Sequence, residues 1–219
     1  MLIDVQGHRK YLTPNERRAF IVAAAQASPE VEAFALIMAH TGVRISEALA
    51  ITPMRIDVVA RTLVVECLKK RRRGVFRAIP LSEALLDRLE AVHHLREMRA
   101  DAQRRNIRLW GWSRTTAWSR IKEIMAQAGI PPEVRKPKAL RHAFGIQGTV
   151  AGVSLTLIGR WLGHSDISTT AIYTDAMGAE ERQFAERMWA ASNVHAGRSM
   201  LKEIEAEGFS KGIEIRNRP

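Results

Sequence analysis

The run VEAFALIMAHTG, residues 31–42, constrains the fold more than any other stretch. Ser28-Pro29-Glu30 opens it with a capping residue and a proline at the first helical position, and Gly42 ends it. A helix that is apolar on most of its circumference cannot lie on a surface and must be covered by other elements. The rest of the chain is therefore expected to wrap a central helical rod. With 46% apolar residues among 219, it has enough material to bury a real core.

The remaining punctuation supplies the cover. Thr13-Pro14-Asn15-Glu16 is a capping box that predicts a helix to about Gln26. A short helix is expected from Ser46 to about Leu49. Between residues 57 and 81, TLVVECL and VFRAIPL are apolar and rich in β-branched residues, and KKRRRG separates them. They read as a β-hairpin with a basic tip. From Ser82, EALLDRLEAVHHLREMRADAQRR keeps one helical period. Ser113 caps a helix that Gly129 and Pro131-Pro132 stop. Helices follow near 138–151, 155–162 and 166–172, the last two with Ser154 and Ser165 as caps. The expected fold class is mainly α with a small β-hairpin or three-stranded sheet. Residues 1–178 form the main domain. Residues 179–219 form a helical tail, with Phe184, Ala185, Met188 and Trp189 on one face.

The net charge is +11 and the isoelectric point about 10.6. Such a surplus implies a polyanionic partner, either nucleic acid or an anionic membrane. No apolar run approaches the ~18 to 20 residues of a membrane span, and MLIDVQGHRK lacks the apolar core of a signal peptide. Cys67 stands alone, which excludes an internal disulfide and zinc sites of the usual spacing. A reducing setting, cytoplasmic or nucleoid-associated, is expected.

Four places carry chemistry. Arg44 follows the helix-ending Gly42, and Glu47 lies three residues on, placed to hold its guanidinium. Arg141 and His142 occur in RKPKALRHAF, where an arginine near a helix start can join backbone N–H groups on a phosphate. Twenty-two residues separate Arg141 from His164 in a Gly-His-Ser turn, and eight more lead to Tyr173. Each has an ordinary alternative: a solvated arginine, a turn histidine, a packed tyrosine. A phenol with pKa about 10 attacks poorly unless its proton is removed and its anion stabilised, which nearby guanidinium groups would do. Trp110, Trp112 and Trp118 invite a base-stacking reading, although packing is the simpler one.

Together these stretches match one pattern. HTGVRISEA resembles the first arginine box of the tyrosine recombinase (phage integrase) family, and LRHAF…LTLIGRWLGHS…YTD resembles its second box. The resemblance covers about Leu12 to Ala179. It implies the catalytic-domain fold of that family and a site-specific DNA recombinase or integrase working through a 3′-phosphotyrosyl intermediate. By resemblance, Arg44 and Arg141 hold the scissile phosphate, Tyr173 attacks phosphorus, and His164 donates a hydrogen bond. Lys69, at the end of the first hairpin strand, protonates the leaving 5′-hydroxyl, with Lys70 the next candidate. Where the family often has His-x-x-Arg, this chain has Lys138, which is expected to assist as base. Glu47 and His142 are supporting residues. Lys70, Arg71, Arg72, Arg73 and Arg77 are expected along the DNA backbone.

The scheme needs no metal and no other cofactor. Its partner is double-stranded DNA, with a tetramer on paired sites and a monomer when free. The core-binding domain that usually precedes the catalytic one is not expected within residues 1–178, and the tail is expected either to dock on a neighbouring protomer or to pack on its own domain. Two alternatives use the same boxes: a type IB topoisomerase-like nicking-closing activity and a catalytically silent DNA-binding protein.

Overall fold

Thr13 starts the helical frame as its neighbours dictate. In the computed structural model, which describes residues 2–67, 74–174, 185–186 and 188–190, its hydroxyl accepts from the Glu16 N–H. The Glu16 carboxylate in turn accepts from the Thr13 N–H at 2.8 Å. Helix α1 then runs Pro14–Ala24. The apolar rod forms α2, Pro29–Thr41, and buries Ala33, Phe34, Ala35, Ile37, Met38, Ala39 and Thr41. Gly42 caps it in the left-handed conformation at φ 62°. A single-turn helix α3, Ile45–Ala48, and a 3-10 turn, Pro53–Arg55, lead into the sheet.

The sheet has three antiparallel strands in the order β1 (Ile56–Asp57), β2 (Thr62–Glu66) and β3 (Phe76–Pro80). Leu63 pairs with Ile79 and Val65 with Arg77. Directly opposed residues share a face, so these four side chains all point inward and all are buried. The hairpin tip, with Lys69, Lys70, Arg71, Arg72 and Arg73, lies outside the described residues.

The single helix expected after Ser82 is two helices. α4, Glu83–His93, and α5, Leu95–Ala100, meet at His94, which adopts φ 50° and ψ 51°. The bend carries Leu95 into the core, where it is fully buried. It also lets Arg99 donate to the carbonyls of Pro53 and Ile56. Burial of an apolar side chain and saturation of two loop carbonyls outweigh the continuous helix that the periodicity favours.

Ser113 caps α6, Arg114–Gln127, and Ser154 caps α8, Leu155–Leu162, both as expected. Between them runs α7, Pro137–Val150. Ser165 does not cap the last helix. α9 is one turn, Ser168–Ala171, and Asp166 accepts the Ser168 N–H at 2.9 Å. A carboxylate accepts that hydrogen bond more strongly than a hydroxyl does.

α2 packs against α1, α4 and α7, so the apolar rod is central. Trp110 is buried, meets Phe34 edge-on with centroids 5.1 Å apart, and donates its indole N–H to the Glu30 carbonyl at 3.0 Å. Trp112 also meets Phe34 edge-on. Both are packing residues, whereas Trp118 is exposed.

Residues 1–176 form one compact unit and residues 177–219 a second. Within the second, residues 185–186 and 188–190 are helical, and Phe184 lies outside the described residues. Among the described residues no helix is long and apolar enough to cross a membrane.

Candidate active site

Arg44 occupies the N-cap position of α3. The Glu47 carboxylate binds it twice, accepting from its backbone N–H at 2.8 Å and from its guanidinium at 2.8 Å. The expected clamp therefore forms, and Arg44 stays partly open to the cleft while Glu47 is fully buried. Burial alone would push the Glu47 carboxyl up. Hydrogen bonds and charge from Arg77, then the Arg44 contacts, prevail and hold it below the usual carboxylate range.

Arg141 sits one turn into α7 and is buried. Its guanidinium donates to the Gly42 carbonyl at 2.9 Å and to the Leu162 carbonyl at 2.5 Å. One side chain thus ties the end of α2 to the end of α8 and satisfies a free carbonyl at each. Burial, then repulsion from Arg44, pushes its pKa down to about 10. It remains a cation at neutral pH, held in a place that disfavours a cation until an anion arrives.

His164 follows Gly163, the left-handed cap of α8 at φ 69°. Its Nδ1 lies 2.8 Å from the hydroxyl of Thr170, which is fully buried. Thr170 in turn rests on α8, where a β-carbon at Gly159 would lie 2.8 Å from its Oγ1. Sequence reasoning assigned Thr170 no role. Its only signal was a β-branched hydroxyl residue six positions after the histidine.

Tyr173 follows α9 and is 1% exposed. Its ring lies parallel to His164, with centroids 6.3 Å apart, and meets His142 edge-on at 5.9 Å. Burial raises the phenol pKa, while Arg141 and Arg44 pull it down; burial wins, so the phenol is neutral at pH 7. His142 is buried, and neither ring nitrogen finds a hydrogen-bond partner among the described residues. Burial, then the charges of Lys138 and Arg141, pushes it to about 4.

Arg44, Lys138, Arg141, His164 and Tyr173 line one cleft of about 640 Å³. Trp118 stands in its wall with Arg114 and Lys136, two cations to which the sequence reading gave no role. Among the described residues no group of three or more His, Cys, Asp or Glu is arranged to hold a metal. The cleft gathers cations and one phenol, which suits a phosphoryl group and one attacking oxygen.

Arg77 requires a correction. It was expected along a DNA backbone, but its side chain is 3% exposed and paired with Glu47 at 2.7 Å. The physical reason is strand parity: Phe76, Ala78 and Pro80 face outward, and Arg77 falls with Ile79 on the buried face.

Comparison with known proteins follows the same lines. The profile of the phage integrase family matches residues 10–180. The tyrosine recombinase XerD of Yersinia pestis is 32% identical over 157 residues, 69% of this chain and 51% of that protein. XerD of Vibrio cholerae is 34% identical over 140 residues, 61% of this chain and 45% of that protein. The chain thus spans about half the length of the curated relatives it matches. Among solved structures, the XerA recombinase superposes with a TM-score of 0.68 at 23% identity, covering 86% of this chain and 64% of XerA. The catalytic domain of bacteriophage HP1 integrase gives a TM-score of 0.56 at 20% identity, covering 75% of this chain and 86% of that domain. These similarities in structure show a shared fold.

Proposed function

The chain belongs to the phage integrase family, and from that premise we propose that it is a site-specific DNA recombinase that cuts and rejoins DNA through a covalent phosphotyrosine. The carrying observation is the convergence of Arg44, Arg141, Lys138, His164 and Tyr173 on one cleft. In this reading Arg44 and Arg141 take the non-bridging oxygens of the scissile phosphate and His164 donates to one of them. Tyr173 Oη attacks phosphorus as its proton passes to Lys138, which accepts it in its neutral amine form. The P–O5′ bond breaks, and Lys69 protonates the departing 5′-oxygen. The phosphotyrosyl ester keeps the energy of the broken bond, so a second 5′-hydroxyl can attack it and release the tyrosine.

Double-stranded DNA is the partner that the +11 charge favours, and the XerH and Tn1549 integrase structures of the same fold are complexes with DNA. Strand exchange requires protomers on paired sites, with the tail beyond residue 178 as the docking element and a bacterial cytoplasm or nucleoid as the setting. The relatives above are named recombinases and integrases, which favours exchange over topoisomerase-like or silent alternatives.

The test uses nicked duplexes tiling the DNA that flanks the gene. Wild-type protein is expected to be trapped as a covalent adduct on one of them, and Tyr173→Phe is expected to form none. An adduct with Tyr173→Phe would displace the nucleophile. Relaxation of a supercoiled plasmid without exchange between two sites would favour the topoisomerase-like reading.

A further inference from the structure

Arg77 is engaged on every side of its guanidinium. Nη2 donates to Glu47 Oε2 at 2.7 Å and Nη1 to Glu47 Oε1 at 3.2 Å. Nε donates to the Trp161 carbonyl at 2.6 Å, and Nη1 also lies 3.3 Å from Cys67 Sγ. The glycine that precedes His164 leaves room for it: a β-carbon at Gly163 would lie 3.0 Å from Arg77 Nη1 and 3.1 Å from its Cδ. One planar fork therefore touches two things. The first is the carboxylate that binds Arg44 at two points. The second is the turn from which His164 projects.

We propose that Arg77 is a positioning residue that fixes Arg44 and His164 relative to each other from beneath the cleft. The proposal rests on the strand-transfer reading of that cleft. A buried ion pair is a weak source of stability when compared with apolar packing. What it supplies here is geometry. Two parallel N–H bonds to one carboxylate define the plane of the fork, and the third bond, from Nε, fixes the α8 end against that plane. Arg141 grips the same end through the neighbouring Leu162 carbonyl, so the two buried arginines hold the α8 terminus at adjacent carbonyls. Lysine at 77 would keep the charge opposite Glu47 but cannot reproduce the fork.

Two measurements test this on the full chain, with Arg77→Lys and with the charge-free pair Glu47→Gln/Arg77→Met. The first titrates inorganic phosphate and follows isotope-labelled arginine and histidine side chains by NMR. In wild type, Arg44 and His164 are expected to shift together with one apparent affinity. In Arg77→Lys the two shifts are expected to separate and the affinity to fall by about tenfold. The second measures single-turnover adduct formation on the cleavable nicked duplex. Arg77→Lys is expected to bind that duplex as wild type does yet react about a hundredfold more slowly, the scale of a 1 Å misplacement. The double variant is expected to regain thermal stability without regaining the rate.

Wild-type phosphate response in Arg77→Lys overturns the proposal, as does a double variant that recovers rate and stability together. Wild-type protein whose Arg44 and His164 do not respond jointly to phosphate also overturns it. Wild-type protein that binds phosphate jointly but forms no adduct on any duplex refutes strand transfer instead, and the phosphate titration still decides the role of Arg77.

Discussion

Gly145 and Tyr173 are in direct contact: a β-carbon at residue 145 would lie 2.4 Å from the Cε2 of the tyrosine ring and 2.5 Å from its Cζ. The bed of the proposed nucleophile is thus a bare stretch of α7, one turn beyond Arg141. Gly145→Ala gains helix propensity but forces the ring off its seat. Overpacking of this kind costs about 1–3 kcal/mol, and the loss should reach the hydroxyl at the far end of the ring. The expected outcome is a modestly lowered denaturation midpoint with adduct formation reduced about a hundredfold. Urea titration and the nicked-duplex assay measure the two effects separately.

Thr170→Val removes the hydroxyl beside His164 Nδ1 while keeping its shape. The imidazole keeps its place in the chain but loses the partner that fixes its ring and tautomer. Stability should change by about 1 kcal/mol, because Val fills the same space against Gly159. Adduct formation should fall by about tenfold or more, less than the ~10²–10³-fold that outright removal of one transition-state donor costs. Thr170→Ser, which keeps the hydroxyl, should restore most of it.

Two buried histidines contribute to the acid limb of stability. His142 and His93 are both pushed down to about 4, in each case chiefly by burial. A histidine whose folded pKa lies below its unfolded value binds its proton more readily in the unfolded chain. Its contribution is fully present above the unfolded pKa of about 6.5 and is lost as pH falls towards 4. At pH 5 each should cost about 2 kcal/mol relative to pH 7.5. Urea unfolding across pH 4 to 8 should show the loss, and His142→Gln should remove its share of the slope.

Arg141 carries the opposite tension. Its charge is disfavoured in the folded chain, with the pKa lowered to about 10, so folded protein should gain from an anion in the cleft. Inorganic phosphate at a hundred times its dissociation constant should stabilise the protein by about 2.7 kcal/mol. Sulfate and phosphate also stabilise proteins generally by exclusion. The diagnostic is therefore the difference in thermal midpoint between wild type and Arg141→Gln across the same salt series. Equal slopes in the two proteins would remove Arg141 from the anion site.

The helical frame was legible because its signals are local. The Thr13 capping box, the Pro29 start and the Gly42 stop each act over three or four residues, and each forms as read. Local signals also misled. The periodicity after Ser82 runs straight through His94, yet the chain bends there, because burial of Leu95 depends on residues far away in sequence. Arg77 shows how close the sequence came. Alternation through FRAIP already places it on the face of Ile79, but the neighbouring KKRRRG run made it look like one more surface cation.

By itself the sequence determined the candidate residues and the order in which they occur: Arg44, Arg141, His164 and Tyr173 lie in the family boxes, and Lys138 stands where the family often has histidine. It also determined that a rod apolar on most sides must be enclosed. Only the tertiary structure decided how those residues are held. Arg141 reaches the carbonyl of Gly42, 99 positions away, Arg77 reaches that of Trp161, 84 positions away, and Gly145 lies under Tyr173. The reason is that the direction of a buried hydrogen bond or the floor beneath a ring is a property of packed surfaces. Those surfaces are set by how α2, α7, α8 and the sheet close on one another, which no short window of sequence contains.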